Sequence, residues 1–458
     1  MNNPYKMLAL LAFATNVAAA PHELLPEQAG DLSAAAAVAP SAAAAPMAAL
    51  ASVQPSHDAV SLSWAAKDAV VTPAMPFLAQ SKETWFTATA DELAQGVAVN
   101  TTAPRALVRI QALSAVGPRE ALAIHPQSMT LVDKNGRAYD DGAGMEMLVS
   151  ADKLAKADVP FAPGTSAFRM HPSLGAGSFK LRVNGASGSD RYLVNVVEPD
   201  SPYALTMQSG ALHYLHGQQL VLTAALQEGS GAASAKRGVD KFDATVVSPG
   251  GRRFPVSFKA GKDGALRAAL SLDADEAPTP GLWEVQAEAN TVVKGQAVRR
   301  SVRLAFPVAM PVARLTHAVT LQSGAGVNLN VGVEAAAAGR YEVRGMLYGT
   351  VKGQLAPLGV ADAAQWMEAG QGQIALTFAP ELIAGASGPF EVRELFLMDQ
   401  GRLGVLHHQQ RALALSEDDV VRAGGRGAVS TRGLAAGSGN LLAPDSAHVK
   451  RAPNPQGS

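Results

Sequence analysis

The 458-residue chain has no cysteine, which excludes disulfide staples, thiolate metal ligands, cysteine nucleophiles and a lipid-attachment thiol. Charged residues are 17% of the chain, aromatic ones 5%, and the formal net charge is −1. A balance so close to neutrality leaves no electrostatic footprint for nucleic acid. Motifs that carry chemistry at fixed spacing are also missing. There is no G-x-S-x-G elbow, no H-E-x-x-H, no phosphate-cradling G-x-x-x-x-G-K-[ST], and no G-x-G-x-x-G leading from a strand into a helix. The longest strongly apolar run, MLALLAFA from Met7 to Ala14, is too short for the roughly 20 residues of a membrane span.

That run has a positive purpose in its setting. Lys6 precedes it and the small residues of NVAAA follow, so residues 1–20 read as a secretory signal peptide cleaved near Ala18 to Ala20. The mature protein is then expected to be periplasmic or secreted, with no membrane span. Without disulfides it must hold itself together by burial, in several cores of roughly 100 to 150 residues each. The Ala- and Pro-rich stretch of residues 21–57, interrupted by Pro40 and Pro46, is expected to be a disordered linker.

From there on, short alternating apolar runs are separated by Gly, Pro, Asn and Asp, as strands joined by turns require. The expected fold class is all-β, in tandem Ig-like β-sandwich domains. An N-terminal β-rich domain over residues 58–199 is the irregular one, with short helical insertions at Asp91–Gln95 and Ala151–Ala157. A second domain over 200–310 opens on the stiff Glu198-Pro199-Asp200-Ser201-Pro202 junction. Within it, Leu220, Leu222, Ala224 and Leu226 share one face, and Trp283 alternates with Val285. A C-terminal Ig-like β-sandwich occupies 311–415, and the Gly-, Ala-, Ser- and Arg-rich residues 416–458 are expected to be a disordered tail.

Candidate sites are few. DKNGRAYDDG, Asp133 to Gly142, has oxygen ligands at Asp133 and Asn135 for a calcium loop, but Arg137, Ala138 and Gly144 stand where that loop needs an oxygen ligand, glycine and glutamate. A hairpin turn with positive φ at Asn135 and Gly136 fits better. An irregular metal site for calcium at Asp133, Asp140 and Asp141 is the competing reading. His213 and His216 are three apart, and His407 and His408 adjacent. On strands neither pair shares a face. Asp273, Asp275 and Glu276 read as a solvated loop before Pro278. Of the four tryptophans, Trp366 in ADAAQWMEAG has the fewest apolar neighbours and is the candidate surface aromatic for binding.

Two stretches resemble known families. GRYEVRGMLYGT, APLGVADAAQWMEAGQGQIALTF and GPFEVRELFLMD together resemble an Ig-like module found in exported bacterial proteins beside protease, adhesion and other binding domains. WFTATADELAQGVAVNTTAPRALVRI is similar to the start of a family of secreted bacterial multidomain proteins of unknown function that carry tandem Ig-like domains. The resemblance spans about Trp85 to Leu415. It implies an architecture and supplies no catalytic residues.

The expected function is that of an exported, non-enzymatic binding or structural protein presenting β-sandwich surfaces to a protein or cell-envelope partner. Its specific element is placed in the first domain, where the insertion between Asp140 and Pro172 exceeds what a minimal sandwich needs. The alternative is a secreted hydrolase or protease-associated protein, which needs His125, His171 and the acids near Asp140 to converge.

Overall fold

The computed structural model describes residues 21–40, 56–66, 75, 77–113, 122–140, 142–157, 161–229, 231, 234–272 and 281–424. The proposed signal peptide, the middle of the Ala/Pro-rich stretch, Asp141, the acids at 273–276 and the residues beyond 424 lie outside them. The described chain is almost entirely antiparallel β and forms three two-sheet sandwiches around three separate apolar cores. Alternation builds each of them. Leu107–Leu113, for example, buries Val108, Ile110 and Ala112 and turns Arg109 and Gln111 outward, as a period of two dictates.

In the first sandwich, Glu83–Thr89, Arg191–Val197, Leu107–Leu113, Thr165–Met170 and Met145–Val149 lie side by side in that order. They face a smaller sheet of Val97–Thr101, Gly177–Val183, Met129–Asp133 and Ala138–Tyr139. Phe168, Leu131, Leu181 and Val194 fill the space between. Both expected helical turns are present, at Ala90–Gln95 and Ala151–Lys156. The first has a reciprocal capping box between Thr89 and Glu92 and buries Leu93, which satisfies amide donors that have no partner within the helix. The second buries nothing.

The second sandwich packs Leu220, Leu222, Trp283, Val285, Val302 and Phe306 between its sheets. One of these sheets is continuous with the first domain. Gln296–Phe306 meets Glu83–Thr89 edge to edge, with Ser301 opposite Glu83. The Thr84 hydroxyl donates to the Arg299 carbonyl and the Trp85 amide to Ser301 Oγ at 3.2 Å. A nine-stranded sheet therefore crosses the domain boundary. Beneath the seam, Arg300 and Glu198, each 1% exposed, pair at 2.6 Å. Arg300 also donates to Tyr203 O, Thr102 Oγ1 and Ser201 Oγ, while Glu198 accepts the amides of Thr102 and Ala103. The Pro-bearing junction is thus riveted from both sides.

Two expectations about the ends of the chain need correction. Residues 21–40 are not a free linker. Pro21–Glu23 pairs with Ala318 to Thr320 of the third sandwich, Leu24 and Leu32 enter its core, and Leu32 exchanges backbone bonds with His408. Composition misleads here because the segment builds no core of its own; it completes one that already exists. The first strands after residue 58 also pair away from the first sandwich. Val60–Ala65 pairs with Gln354–Met367 in the third sandwich, and Leu78–Ser81 pairs with Tyr203–Ser209 in the second. Only from Glu83 does the chain enter the first domain. The stretch after Leu415, finally, starts with a helix, Glu417–Arg422. Ser416 caps it and it buries Val420 against the third core.

Candidate functional site

The nine-stranded sheet has one face turned away from both cores, and on it lies a cleft of about 550 Å³ at the seam between the first two domains. Strand register assembles its floor. Trp85 lies opposite Asn195, and Asn195 opposite Arg109, across three neighbouring strands. Asn195 Oδ1 accepts from Arg109 Nε at 2.7 Å and its amide donates to Glu83 Oε2 at 2.9 Å. Glu83 in turn lies 3.6 Å from the Arg109 guanidinium. The carboxylate, amide and guanidinium therefore hold one another in fixed orientations, which is what a preorganised polar floor requires.

Aromatic rings form the walls. Trp85 is half-buried with the Arg303 guanidinium 4.8 Å above its ring, and Phe161 has Arg109 at 5.8 Å. Phe77, 69% exposed, is the third aromatic lining the cleft. Beside it runs Leu78–Ser81, whose Ala79, Gln80 and Ser81 line the cleft. Among the described residues this is the last strand of its sheet, paired only with Tyr203–Ser209. Its other edge carries no backbone hydrogen bond among the described residues. A second groove of about 590 Å³ continues along the same sheet over Phe242, Phe258, Arg253 and Glu288, sharing Trp85 and Ser301 with the seam.

The arrangement can bind; its polar groups are paired with one another as amide, carboxylate and guanidinium. His125 and His171, required by the hydrolase alternative, each bond within their own turns, to Gln127 and Ser173. No hydrogen bond links either side chain to Asp140 among the described residues.

The other sequence candidates resolve as follows. Asp133 Oδ1 accepts the amides of Asn135 and Arg137, and Oδ2 accepts the Tyr139 hydroxyl. The Arg137 amide, foremost, holds this carboxyl below its ordinary range. Both oxygens thus serve the hairpin. Its turn has positive φ at Gly136 alone, correcting the expectation for Asn135. The Gly136 amide closes a type I turn on Asp133, and glycine supplies the left-handed residue after it. Asp140 is exposed, Asp141 lies outside the described residues, and no group of three metal-ligating side chains occurs among the described residues. Trp366 is half-buried. His57 stacks on its ring at 4.2 Å and Glu368 accepts from its indole at 2.7 Å, so one face is already covered. His216 packs edge-on against Trp283, and His408 pairs with Glu394 at 2.7 Å. No helix among the described residues is long and apolar enough to cross a membrane.

Sequence reasoning passed over the cleft itself, although Trp85-Phe86 held a clue. Neighbouring residues on a strand point to opposite faces, so two adjacent aromatics cannot both enter one core.

Fold and site together define a three-sandwich β protein with a ligand-sized cleft at a domain seam. The chain belongs to the DUF4785 family, a family of unknown function: the models of its N-terminal, central and C-terminal domains match residues 51–198, 201–309 and 312–416. A crystal structure of a DUF4785 family protein from Legionella pneumophila is similar over 86% of this chain and 99% of that one, with 21% identity and a TM-score of 0.66. That likeness concerns the fold alone. Trypsin-activated alpha-2-macroglobulin of Escherichia coli (13% identity, 68% of this chain and 22% of that one, TM-score 0.19) and a tandem repeat of a large adhesion protein (17%, 74% and 75%, 0.18) match at scores that bear on neither fold nor function. No protein of curated function matches the sequence.

Proposed function

We propose that the protein is an exported binding protein whose Ig-like sandwiches act as a rigid frame for the cleft at the seam of its first two domains. Export rests on the signal-peptide pattern of residues 1–20. Binding rests above all on one observation: three aromatic side chains, Phe77, Trp85 and Phe161, rim a cleft whose floor of Glu83, Asn195 and Arg109 is already ordered. Well-formed clefts with aromatic walls and a few fixed polar groups are the usual form of ligand sites, and the Trp and Arg found here are the residue types that dominate binding energy. The partner is a protein or cell-envelope component.

Placing a photo-activated phenylalanine analogue at Phe77, and as a control at Leu403, which is 91% exposed on the third domain, tests this in intact cells of the native host. The expected result is an adduct in the exported fraction that depends on the Phe77 position and disappears with Arg303→Gln. Equal adducts at both positions, or retention of the protein in the cytoplasm, would overturn the proposal.

A further inference from the structure

We infer that the cleft takes an extended peptide bearing a carboxylate, paired as an added strand on the free edge of Leu78–Ser81. The inference rests on the binding reading above and names its ligand. Three observations converge on it. The first is the strand edge. Among the described residues Leu78–Ser81 has a neighbour on one side only, and the cleft is lined by Ala79, Gln80 and Ser81. An unpaired edge is a template for another chain, since its amides and carbonyls want partners, and addition of an extended peptide to such an edge is a general mode of recognition.

The second is where the aromatic rings stand. In a peptide laid along this edge, alternate side chains point to opposite sides. Phe77 stands just before the strand, and Trp85 and Phe161 line the same cleft, so one set of side chains would meet aromatic rings above a polar floor. The third is charge. Two guanidiniums, Arg109 and Arg303, line the cleft against one carboxylate, Glu83. Arg109 is tied to Asn195 and Glu83. Arg303, half-exposed over Trp85, has among the described residues only Glu284 as an ion-pair partner, at 3.9 Å. A cationic group with so loose a tether is placed to take a carboxylate with charge-assisted hydrogen bonds. A neutral sugar could stack on the rings, but it would use neither the strand edge nor the excess positive charge.

The probe is a pool of fluorescein-labelled hexapeptides of alternating valine and threonine, ending in each amino acid as the free acid. Members that bind are remade as C-terminal amides and with alternate backbone nitrogens methylated. Fluorescence anisotropy with the full mature protein should show binding by the free acids, with preference for apolar or aromatic ends. Affinity should fall by about tenfold or more on amidation and in Arg303→Gln, the scale of a lost charge-assisted contact. It should fall at least as far on N-methylation of one alternating set and not of the other. Phe77→Ser should also weaken binding; both substitutions are on the surface, so an unchanged melting temperature certifies the fold. An oligogalacturonate is run in parallel. If it binds and the peptides do not, and Phe77→Ser abolishes that binding, the peptide is wrong and the cleft stands. If neither probe binds, or binding ignores both variants, the peptide and the cleft reading fall together.

Discussion

Removing Arg300 should destabilise the seam between the first two domains more than any surface change. The side chain is 1% exposed and makes contacts with Glu198 at 2.6 Å, Ser201 at 2.6 Å, the Arg299 carbonyl at 2.7 Å, Thr102 at 2.8 Å and the Tyr203 carbonyl at 3.1 Å. Arg300→Met keeps much of the apolar volume but leaves Glu198 buried without its cation. Breaking a buried pair in this way costs about 3–5 kcal/mol. We therefore expect Arg300→Met to lose about 3 kcal/mol at pH 7. The double variant Arg300→Met/Glu198→Leu should recover most of the loss, because paired apolar replacements avoid the uncompensated charge. Urea unfolding followed by tryptophan fluorescence reads this, since Trp85 and Trp283 report from the two domains joined there. The fit must allow separate domain transitions. A single-variant loss below about 1 kcal/mol, or a double variant as unstable as the summed singles, would refute the coupling.

Other consequences follow from the third domain and the hairpin. Desolvation, and then the Glu342 carboxyl beside it, pushes Asp362 up from 3.8 to about 6. The folded state thus holds a proton that the unfolded state releases, and the Asp362 contribution to stability declines as pH rises from about 4 to 6 and is flat above. Asp362→Asn should remove that slope and raise stability at pH 7 by about 1 kcal/mol after discounting for solvent screening, as measured by urea midpoints from pH 4 to 8. His407 has the opposite sign: burial, foremost, holds it below 6.5 and its Nε2 has no hydrogen-bond partner among the described residues. Acidification below 6.5 should weaken this domain, and His407→Gln should blunt the effect; an unchanged acid limb would count against it. Leu32→Ala should cost about 2–4 kcal/mol and speed proteolysis within residues 21–40, which otherwise resist cleavage. Calorimetric melting in calcium and in EDTA should superimpose, because both Asp133 oxygens already serve the turn; a calcium-dependent rise would revive a metal site there.

What could be read from the sequence was what depends on local period. Leu220, Leu222, Ala224 and Leu226 face inward as their spacing dictates, Trp283 is buried beside Val285, and the helical turns at Ala90 and Ala151 are where capping residues and the absence of glycine place them. What could not be read was pairing between segments far apart in the chain. Nothing local in VSLSWA says that Val60–Ala65 pairs with residues some 300 positions later. Nothing in Arg300 or Glu198 alone says that they meet. The cleft escaped for the same reason: Phe77, Trp85, Arg109, Phe161 and Arg303 come from five separate stretches, and apart from Trp85 beside Phe86 each one looks ordinary where it stands.

The same long-range pairings bear on how the cleft can work. A seam bridged only by the five residues Glu198 to Pro202 would let the two domains swing, and a cleft between swinging walls would have to be ordered anew by each ligand. Here Ser301 pairs with Glu83, Trp85 bonds Ser301, and the Arg300–Glu198 ion pair closes the far side of the sheet. Three kinds of contact, at the sheet edge, on the outer face and in the buried layer, would have to break before the walls separated. Trp85 is itself part of the seam and part of the rim, so loosening one loosens the other. A cleft fixed in this way loses little entropy when a ligand arrives, and damage to the rivet should then reach binding as well as stability. Arg300→Met lies outside the cleft lining, yet it should weaken peptide binding under conditions where the protein is still fully folded. The double variant with Glu198→Leu should restore binding along with stability. Restored stability without restored binding would mean that the guanidinium orients the rim directly, and that the rigidity argument is wrong.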